Sequence, residues 1–157
     1  MAPRGTAVLA LVLAALIPAA CGGDEDGVSR DVYAKRVNEV CDDAERQLRK
    51  LDIGSAETSA EVGALIDDVI AKSRAAVDRL KALERPSGDA GETADRFVAT
   101  LEGEFANDAL PALDDLKAAI RSGDRGAAAD AAERLSELEN TESDRFARQL
   151  GAEACAA

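Results

Sequence analysis

The residues best able to do chemistry in this sequence are its three cysteines, Cys21, Cys41 and Cys155. The sequence has no histidine, which removes the Glu-x-x-His ligands of di-iron bundles, most zinc sites and any Ser-His catalysis. Two thiols without histidine make a poor soft-metal site, so a disulfide between Cys41 and Cys155 is favoured over metal binding. The sequence therefore predicts no catalytic residue, no metal ligand and no cofactor, and we expect the protein not to be an enzyme.

Acidic residues form four local groups that could in principle hold a cation: Asp42-Asp43, Asp67-Asp68, Glu102 with Glu104, and Asp114-Asp115. Adjacent positions on an α-helix point about 100° apart, so these pairs are not expected to face one ligand. A solvated helix face is the favoured interpretation. The segment Asp24-Glu25-Asp26-Gly27 is a weaker candidate for a divalent-cation site, because it lacks the spaced ligands and closing glutamate of an EF-hand.

The charge of the chain excludes one large class of function. Nineteen basic residues stand against 31 acidic ones, which gives a formal net charge of −12. A field of that sign repels nucleic acids and anionic lipid headgroups. We therefore expect no nucleic-acid binding, whereas cationic or neutral partners stay open.

The first 20 residues have the layout of an export signal. Arg4 supplies a positive charge, and residues 6–17 form an apolar run without a charge. The run is too short for a membrane-spanning helix, which needs about 20 residues, but it suits the core of a signal peptide. The small residues Ala19 and Ala20 then precede Cys21, as a peptidase pocket of limited size requires.

The segment Pro18-Ala19-Ala20-Cys21 resembles the lipobox of bacterial lipoproteins. In that pattern Leu, a small or β-branched residue, and Ala or Gly precede a cysteine that receives diacylglycerol, and Pro18 departs from the usual Leu. The resemblance implies that Cys21 is lipidated, with palmitate-type acyl chains, and that the protein lies on the extracytoplasmic face of the cell membrane. The alternatives are an ordinary signal peptide in which Cys21 is incidental, and an uncleaved anchor helix.

This interpretation divides the chain into a lipoprotein signal peptide at residues 1–20, a flexible acidic tether at 21–28 and a folded domain at 29–157. It also accounts for the odd number of cysteines. If Cys21 is acylated, Cys41 and Cys155 remain to pair with each other in an oxidising compartment.

Four amphipathic helices are predicted after the tether, with apolar residues recurring every three or four positions. They cover about residues 29–51, 58–84, 90–121 and 124–150. Ser29 and Asp124 are suited to cap the first and last helices, and Thr58 with Glu61 predicts a capping box at the start of the second. No segment shows the alternation of a strand.

Helices joined by short breaks predict an all-α fold, an antiparallel (up-down-up-down) four-helix bundle. Pro111 lies inside the third predicted helix, where we expect a kink near residues 107–110. In such a bundle Cys41 and Cys155 lie at different heights. Their pairing therefore requires either a fold-back after Gly151 or helices of unequal length.

The segments Val32-Tyr33-Ala34 and Asn38-Glu39-Val40-Cys41-Asp42 are similar to the opening helix of small secreted or lipid-anchored helical proteins of actinomycetes. In those proteins an aromatic residue leads a helix toward an Asn or Asp and then a cysteine, and a second cysteine closes the C-terminus. The resemblance implies a helical fold and a disulfide, and it implies no activity.

Two functions are compatible with these features. The first is a non-enzymatic, lipid-anchored domain with a binding or structural role in the cell envelope, offering exposed helix faces to an envelope protein. The second is a bundle that holds an apolar or cationic small molecule in its centre. The aromatic residues are expected in the core, although an interior lined by Ala and Val could instead hold a lipid or small apolar ligand; they are Tyr33, Phe97, Phe105 and Phe146.

Overall fold

A computed structural model describes residues 27–52, 56–138 and 142–156, and this part of the chain is helical without a β-strand. The elements are α1 (Arg30–Leu48), α2 (Ser59–Lys81), α3 (Gly88–Glu104), a π-helical turn (Phe105–Ala109), α4 (Leu110–Ser122), α5 (Arg125–Ser136), α6 (Glu142–Leu150) and a final 3-10 turn (Glu153–Cys155). The predicted all-α class is confirmed. The signal peptide, Cys21 and most of the tether lie outside the described residues.

Three helices begin where their capping residues predict. The side chains of Ser29 and Asp124 each accept a hydrogen bond from the backbone N–H three residues later, at 3.3 and 3.0 Å. Thr58 and Glu61 form the predicted capping box, since the Thr58 hydroxyl accepts from the Glu61 N–H at 3.2 Å and Glu61 Oε2 accepts from the Thr58 N–H at 2.9 Å. These bonds satisfy N–H groups that a first helical turn leaves unpaired.

The third predicted helix runs from α3 into α4 through the π-helical turn that directly precedes Pro111. Across this turn the Leu110 N–H donates to the Phe105 carbonyl, five residues back. Proline has no N–H, and its ring crowds the preceding turn of a regular α-helix. A bend of the helix axis at this point stays a prediction.

The fourth predicted helix differs from the observed structure, because α5 ends at Ser136 and α6 begins only at Glu142. The segment Glu139-Asn140-Thr141-Glu142 contains no apolar residue. Helices in proteins are stabilised mainly by packing an apolar face. The apolar stripe of the fourth predicted helix is interrupted at this segment of the sequence.

The main core lies where α1, α2, α3 and α6 meet. Its largest fully buried side chains are Tyr33, Val37, Leu80, Phe97 and Leu150. A second set of buried residues lies on α2, α4 and α5, where α2 packs on α4 and α4 packs on α5, and it includes Ile66, Ile70, Ala112, Ala119 and Ala131. The buried aromatic residues Tyr33, Phe97 and Phe146 belong to the main core, against which Cys41 and Cys155 pack.

Candidate functional site

The predicted pair Cys41 and Cys155 is brought together by the fold. Cys41 lies within α1 and Cys155 in the final 3-10 turn, with their Cα atoms 5.3 Å apart and their sulfur atoms at disulfide-bonding distance. Both side chains are half-buried and pack against the main core. The predicted proximity of the two cysteines is confirmed, across a sequence separation of 114 residues.

The predicted fold-back after Gly151 is what allows this meeting. Gly151 has a φ of +81°, a left-handed conformation that glycine adopts at little cost. The next residue, Ala152, donates its N–H to the Ala147 carbonyl at 2.8 Å, which closes the end of α6. The chain then turns back toward α1 instead of continuing past it.

Asn38 holds the returning segment in place. Its Nδ2 donates to the Gly151 carbonyl at 3.2 Å, and its Oδ1 accepts from the Ala154 N–H at 2.8 Å. Asn38 lies one helical turn before Cys41, so the same face of α1 carries both the amide and the thiol. The amide therefore positions Cys155 beside Cys41.

Each of the four acidic groups contributes a carboxylate to an ion pair between helices. The pairs are Asp43–Arg79 (2.6 Å), Asp67–Lys117, Glu102–Lys81 (2.5 Å) and Asp115–Arg134 (2.8 Å). The hydrogen bond from Arg79, helped by Gln47 and Arg46, holds the pKa of Asp43 below its usual value. Exposed pairs of this kind contribute little to stability, because water and salt screen them. These carboxylates join helices and do not converge on a common site.

The aromatic residues divide between the core and a cavity. Tyr33, Phe97 and Phe146 are buried in the main core, whereas Phe105 is half-buried in the π-turn and lines a cavity. Burial raises the pKa of Tyr33, whose hydroxyl has no hydrogen-bond partner among the described residues. The Arg85 guanidinium carbon lies 5.6 Å from the centre of the Tyr33 ring. The alternative of an interior that holds an apolar ligand stays a prediction, and Phe105 is the aromatic residue that bears on it.

The cavity is a cleft of about 310 Å³ between α1, α2, the junction of α3 with the π-turn, and the start of α6. Its wall is mainly apolar and includes Leu48, Val77, Leu101, Phe105 and Leu138. Protein interiors are otherwise packed with few voids larger than a water molecule. Small-molecule sites measure about 300–1,000 Å³, so the cleft lies at the lower end of that range.

The α3–α6 side of the cleft is polar and acidic. Glu104 and Asp144 both line it, and Glu104 Oε1 accepts a hydrogen bond from the Ser143 N–H at 3.2 Å. Ser143 and Asp144 are almost fully buried, at 2% and 6% exposure. Of the described residues that line the cleft, none is Lys or Arg. The cleft therefore joins an apolar wall to a side lined by carboxyl and hydroxyl groups.

The helical periodicity of the sequence placed Leu48, Val77 and Leu101 on apolar helix faces. It did not indicate that Glu104 and Asp144 line the same cleft. The sequence groups Glu104 with Glu102 as a solvated pair, and the structure separates them, with Glu102 on Lys81 and Glu104 at the cleft. Ser143 precedes Leu150 by two helical turns, so helical periodicity alone could have predicted that Ser143 lies on the buried face of α6. No local pattern could have predicted the position of Glu104, because its hydrogen-bond partner Ser143 lies on α6, distant in sequence.

Neither a metal centre nor a membrane span is found in residues 27–52, 56–138 and 142–156. No group of three or more Cys, Asp or Glu side chains there could hold a metal ion. No helix there combines the length and the apolar content that crossing a bilayer requires. No protein-family model, curated protein or solved structure matches the chain. The function is accordingly argued from the geometry of the cleft.

Proposed function

We propose that this protein is a lipid-anchored, extracytoplasmic helical protein that binds a small apolar molecule in the cleft between α1, α2, α3 and α6. The observation that carries the proposal is the cleft of about 310 Å³ with its apolar wall. Ligand sites of helical bundles lie between facing helices in this way. The proposed role is binding without catalysis, and the lack of histidine in the sequence supports it.

The cleft favours this function over a partner protein bound at the exposed helix faces. Among the described residues, Val32 is the large hydrophobic side chain that is exposed, at 43%. Stable protein interfaces have an apolar core inside a polar rim. The described helix faces offer no such apolar patch, so an envelope-protein partner stays a prediction without structural support.

The lipid anchor rests on the sequence Pro18-Ala19-Ala20-Cys21. Acyl chains at Cys21 would contribute about 0.8 kcal/mol of membrane affinity for each buried methylene. Metabolic labelling with radioactive palmitate tests the anchor, with label expected in the wild-type chain and lost in Cys21→Ala. Equal label in the two chains would show that Cys21 is not the lipidation site.

We also propose how the helices assemble around the cleft. The four arms of an antiparallel bundle would be α1, α2, the α3–α4 segment and the α5–α6 segment, with the third arm bent at Pro111. The packing of α1 on α2, α2 on α4 and α3 on α6 supports this arrangement. The π-helical turn immediately before Pro111 supports the bend.

Binding in the cleft is tested with a neutral fluorescent probe, N-phenyl-1-naphthylamine, and residues 21–157 carrying Cys21→Ala, a chain that lacks both the apolar signal segment and the acyl chains. We expect saturable binding at one site. Ala44→Phe places a ring at the cleft wall and should weaken binding at least about tenfold, equivalent to about 1.4 kcal/mol. Ala71→Phe adds the same ring at an exposed position of α2 and should leave binding unchanged. Equal affinity of the two variants would contradict binding in the cleft.

A further inference from the structure

Cys41 belongs both to the cleft and to the covalent bond at the end of the chain. It lines the cleft together with Ala44 and Leu48 of the same helix, and its sulfur pairs with that of Cys155. Cys155 is not among the described residues that line the cleft. The bond therefore joins a wall residue of the cleft to a segment that lies outside it.

The final 3-10 turn, Glu153–Cys155, contacts both α1 and α6. α1 packs on this turn more extensively than on α6 itself. Ala152, directly before the turn, is fully buried, and Cys155 and Ala156 pack against the main core. The turn therefore links the α1 wall of the cleft to α6, whose first turn also lines the cleft.

The Cys41–Cys155 bond is the strongest restraint that holds the final turn on α1. Asn38 adds two hydrogen bonds, to the Gly151 carbonyl and from the Ala154 N–H. Ordering a chain end costs backbone entropy at every residue, whereas a hydrogen bond contributes a small net free energy because it replaces bonds to water. Chain ends are poorly ordered unless they are tied down. We therefore expect the turn to leave α1 when the bond is broken.

Release of the turn should weaken binding of an apolar molecule in the cleft. Such a molecule gains free energy from the apolar surface that it removes from water. Without the turn, Cys41 becomes accessible to water and α1 is free to shift relative to α6. Dispersion attraction falls steeply as a gap opens between a ligand and its wall, so the oxidised chain should bind more tightly than the reduced chain.

We infer that the Cys41–Cys155 bond is a redox switch for the cleft, with the oxidised form competent to bind and the reduced form impaired. The inference rests on the proposed function, since it takes the cleft as the binding site. It adds a condition for binding, namely an oxidising compartment, in which disulfides persist.

The reductant of this switch is a dithiol. One thiolate of the dithiol attacks the protein disulfide, and the second displaces the resulting mixed disulfide and closes a cyclic one. The two electrons and two protons that the dithiol loses end on Cys41 and Cys155, which become thiols. Oxidation by a cyclic disulfide reverses the same steps.

Residues 21–157 carrying Cys21→Ala contain this pair as their only cysteines. N-phenyl-1-naphthylamine is titrated into this chain with and without dithiothreitol, in trimethylamine N-oxide, which favours the folded state. We expect the oxidised chain to bind at least about fivefold more tightly, the lower end of typical coupling between sites. Cys155→Ser is the control, because it cannot form the bond. It should bind like the reduced chain whether or not dithiothreitol is present.

A second measurement follows the coupling in the opposite direction. The chain is equilibrated in mixtures of reduced and oxidised dithiothreitol, with and without saturating probe. Because linkage is reciprocal, the probe should raise the ratio of oxidised to reduced protein by the same factor that separates the two affinities. A bond that stabilises the fold without affecting the cleft would not respond to the probe.

Each possible result decides the inference. Equal affinity of the oxidised and reduced chains, or a redox equilibrium that the probe does not shift, overturns the switch and leaves the cleft as a site that is independent of the bond. Loss of the helical circular dichroism signal on reduction also overturns it, because the bond would then maintain the whole fold. Failure of the probe to saturate in the oxidised chain overturns the proposed function, on which the switch depends.

Discussion

The Asn38 side chain joins the first helix to the end of the chain through two hydrogen bonds. Asn38→Ala removes both its bonds, to the Gly151 carbonyl and from the Ala154 N–H, and should lower the free energy of unfolding by about 1–2 kcal/mol. Asn38→Asp keeps the acceptor for Ala154 and loses the donor, so its stability should lie between the two. Urea unfolding under oxidising conditions compares wild type, Asn38→Asp and Asn38→Ala. If Asn38→Ala is as stable as wild type, the Asn38 amide does not stabilise the returning C-terminal segment.

Gly91 is fixed by a close approach of backbone to backbone. A Cβ atom at this position would lie 2.3 Å from the Pro86 carbonyl oxygen, so Gly91→Ala must displace the connection between α2 and α3. We expect a loss of about 1–3 kcal/mol, typical of overpacking, even though Ala favours a helix over Gly by about 1 kcal/mol.

Gly103 in the same helix is the matched control for this prediction. A Cβ there would meet only Asn107 Nδ2, at 3.9 Å, so Gly103→Ala should stabilise the protein by about 0.5–1 kcal/mol. Both substitutions add one methyl group, but urea unfolding should show a lower free energy of unfolding for Gly91→Ala and a higher one for Gly103→Ala. Stabilisation by both would contradict the close approach at Pro86.

At the scale of the element, the capping box of α2 makes stability depend on pH. Hydrogen bonds from the Glu57 N–H, the Thr58 N–H and the Thr58 hydroxyl hold the pKa of Glu61 below its ordinary value of 4.5. A carboxyl with a depressed pKa in the folded state contributes stability above its unfolded pKa and loses it as pH falls through the folded pKa. The contribution of Glu61 should therefore be complete at neutral pH and fade in acid.

The measurement compares wild type with Glu61→Gln in urea at pH 7 and at successively lower pH. Wild type should be the more stable at pH 7, and the difference should shrink as Glu61 becomes protonated. Glu57→Gln, whose carboxylate is not part of the box, provides the charge-matched control. A difference that is constant with pH would contradict a role for the Glu61 charge.

Helix caps could be predicted from the sequence, whereas the π-turn and the division of the fourth predicted helix could not. The caps at Ser29, Thr58 and Asp124 depend on residues within one turn, so the sequence alone located them. The kink expected near residues 107–110 stays a prediction, and the structure has a π-helical turn at Phe105–Ala109, directly before Pro111. The form of this turn, and the separation of α5 from α6, depend on what each helix packs against.

For the whole molecule, the Cys41–Cys155 pair closes a loop with a sequence separation of 114 residues. Constraining a loop of this length in the unfolded chain is worth about 4–5 kcal/mol in the chain-entropy treatment. Reduction with dithiothreitol should lower the urea midpoint of wild type to that of Cys155→Ser, and it should leave Cys155→Ser unchanged. Equal midpoints for oxidised and reduced wild type would show that no such constraint exists.

The candidate site was predictable only in part at this scale. Helical periodicity placed Cys41, Leu48 and Leu101 on inward faces, and all three line the cleft. A cavity is volume that these side chains leave unfilled, and periodicity carries no information about volume. The acidic side arises where Glu104 and Asp144 come together from segments that are distant in sequence, and no local pattern reports that meeting.

Occupancy of the cleft is measured most directly by NMR, with N-phenyl-1-naphthylamine titrated into residues 21–157 carrying Cys21→Ala. Backbone amide shifts should change at α1 around Cys41–Leu48, at the π-turn Phe105–Ala109, and at Ser143 and Asp144, saturating with one common affinity. The amides of residues 125–131, in the first half of α5 and away from Leu138, should stay unperturbed and serve as the internal reference. Shifts that are absent, or that spread equally over α5, would contradict ligand binding in the cleft.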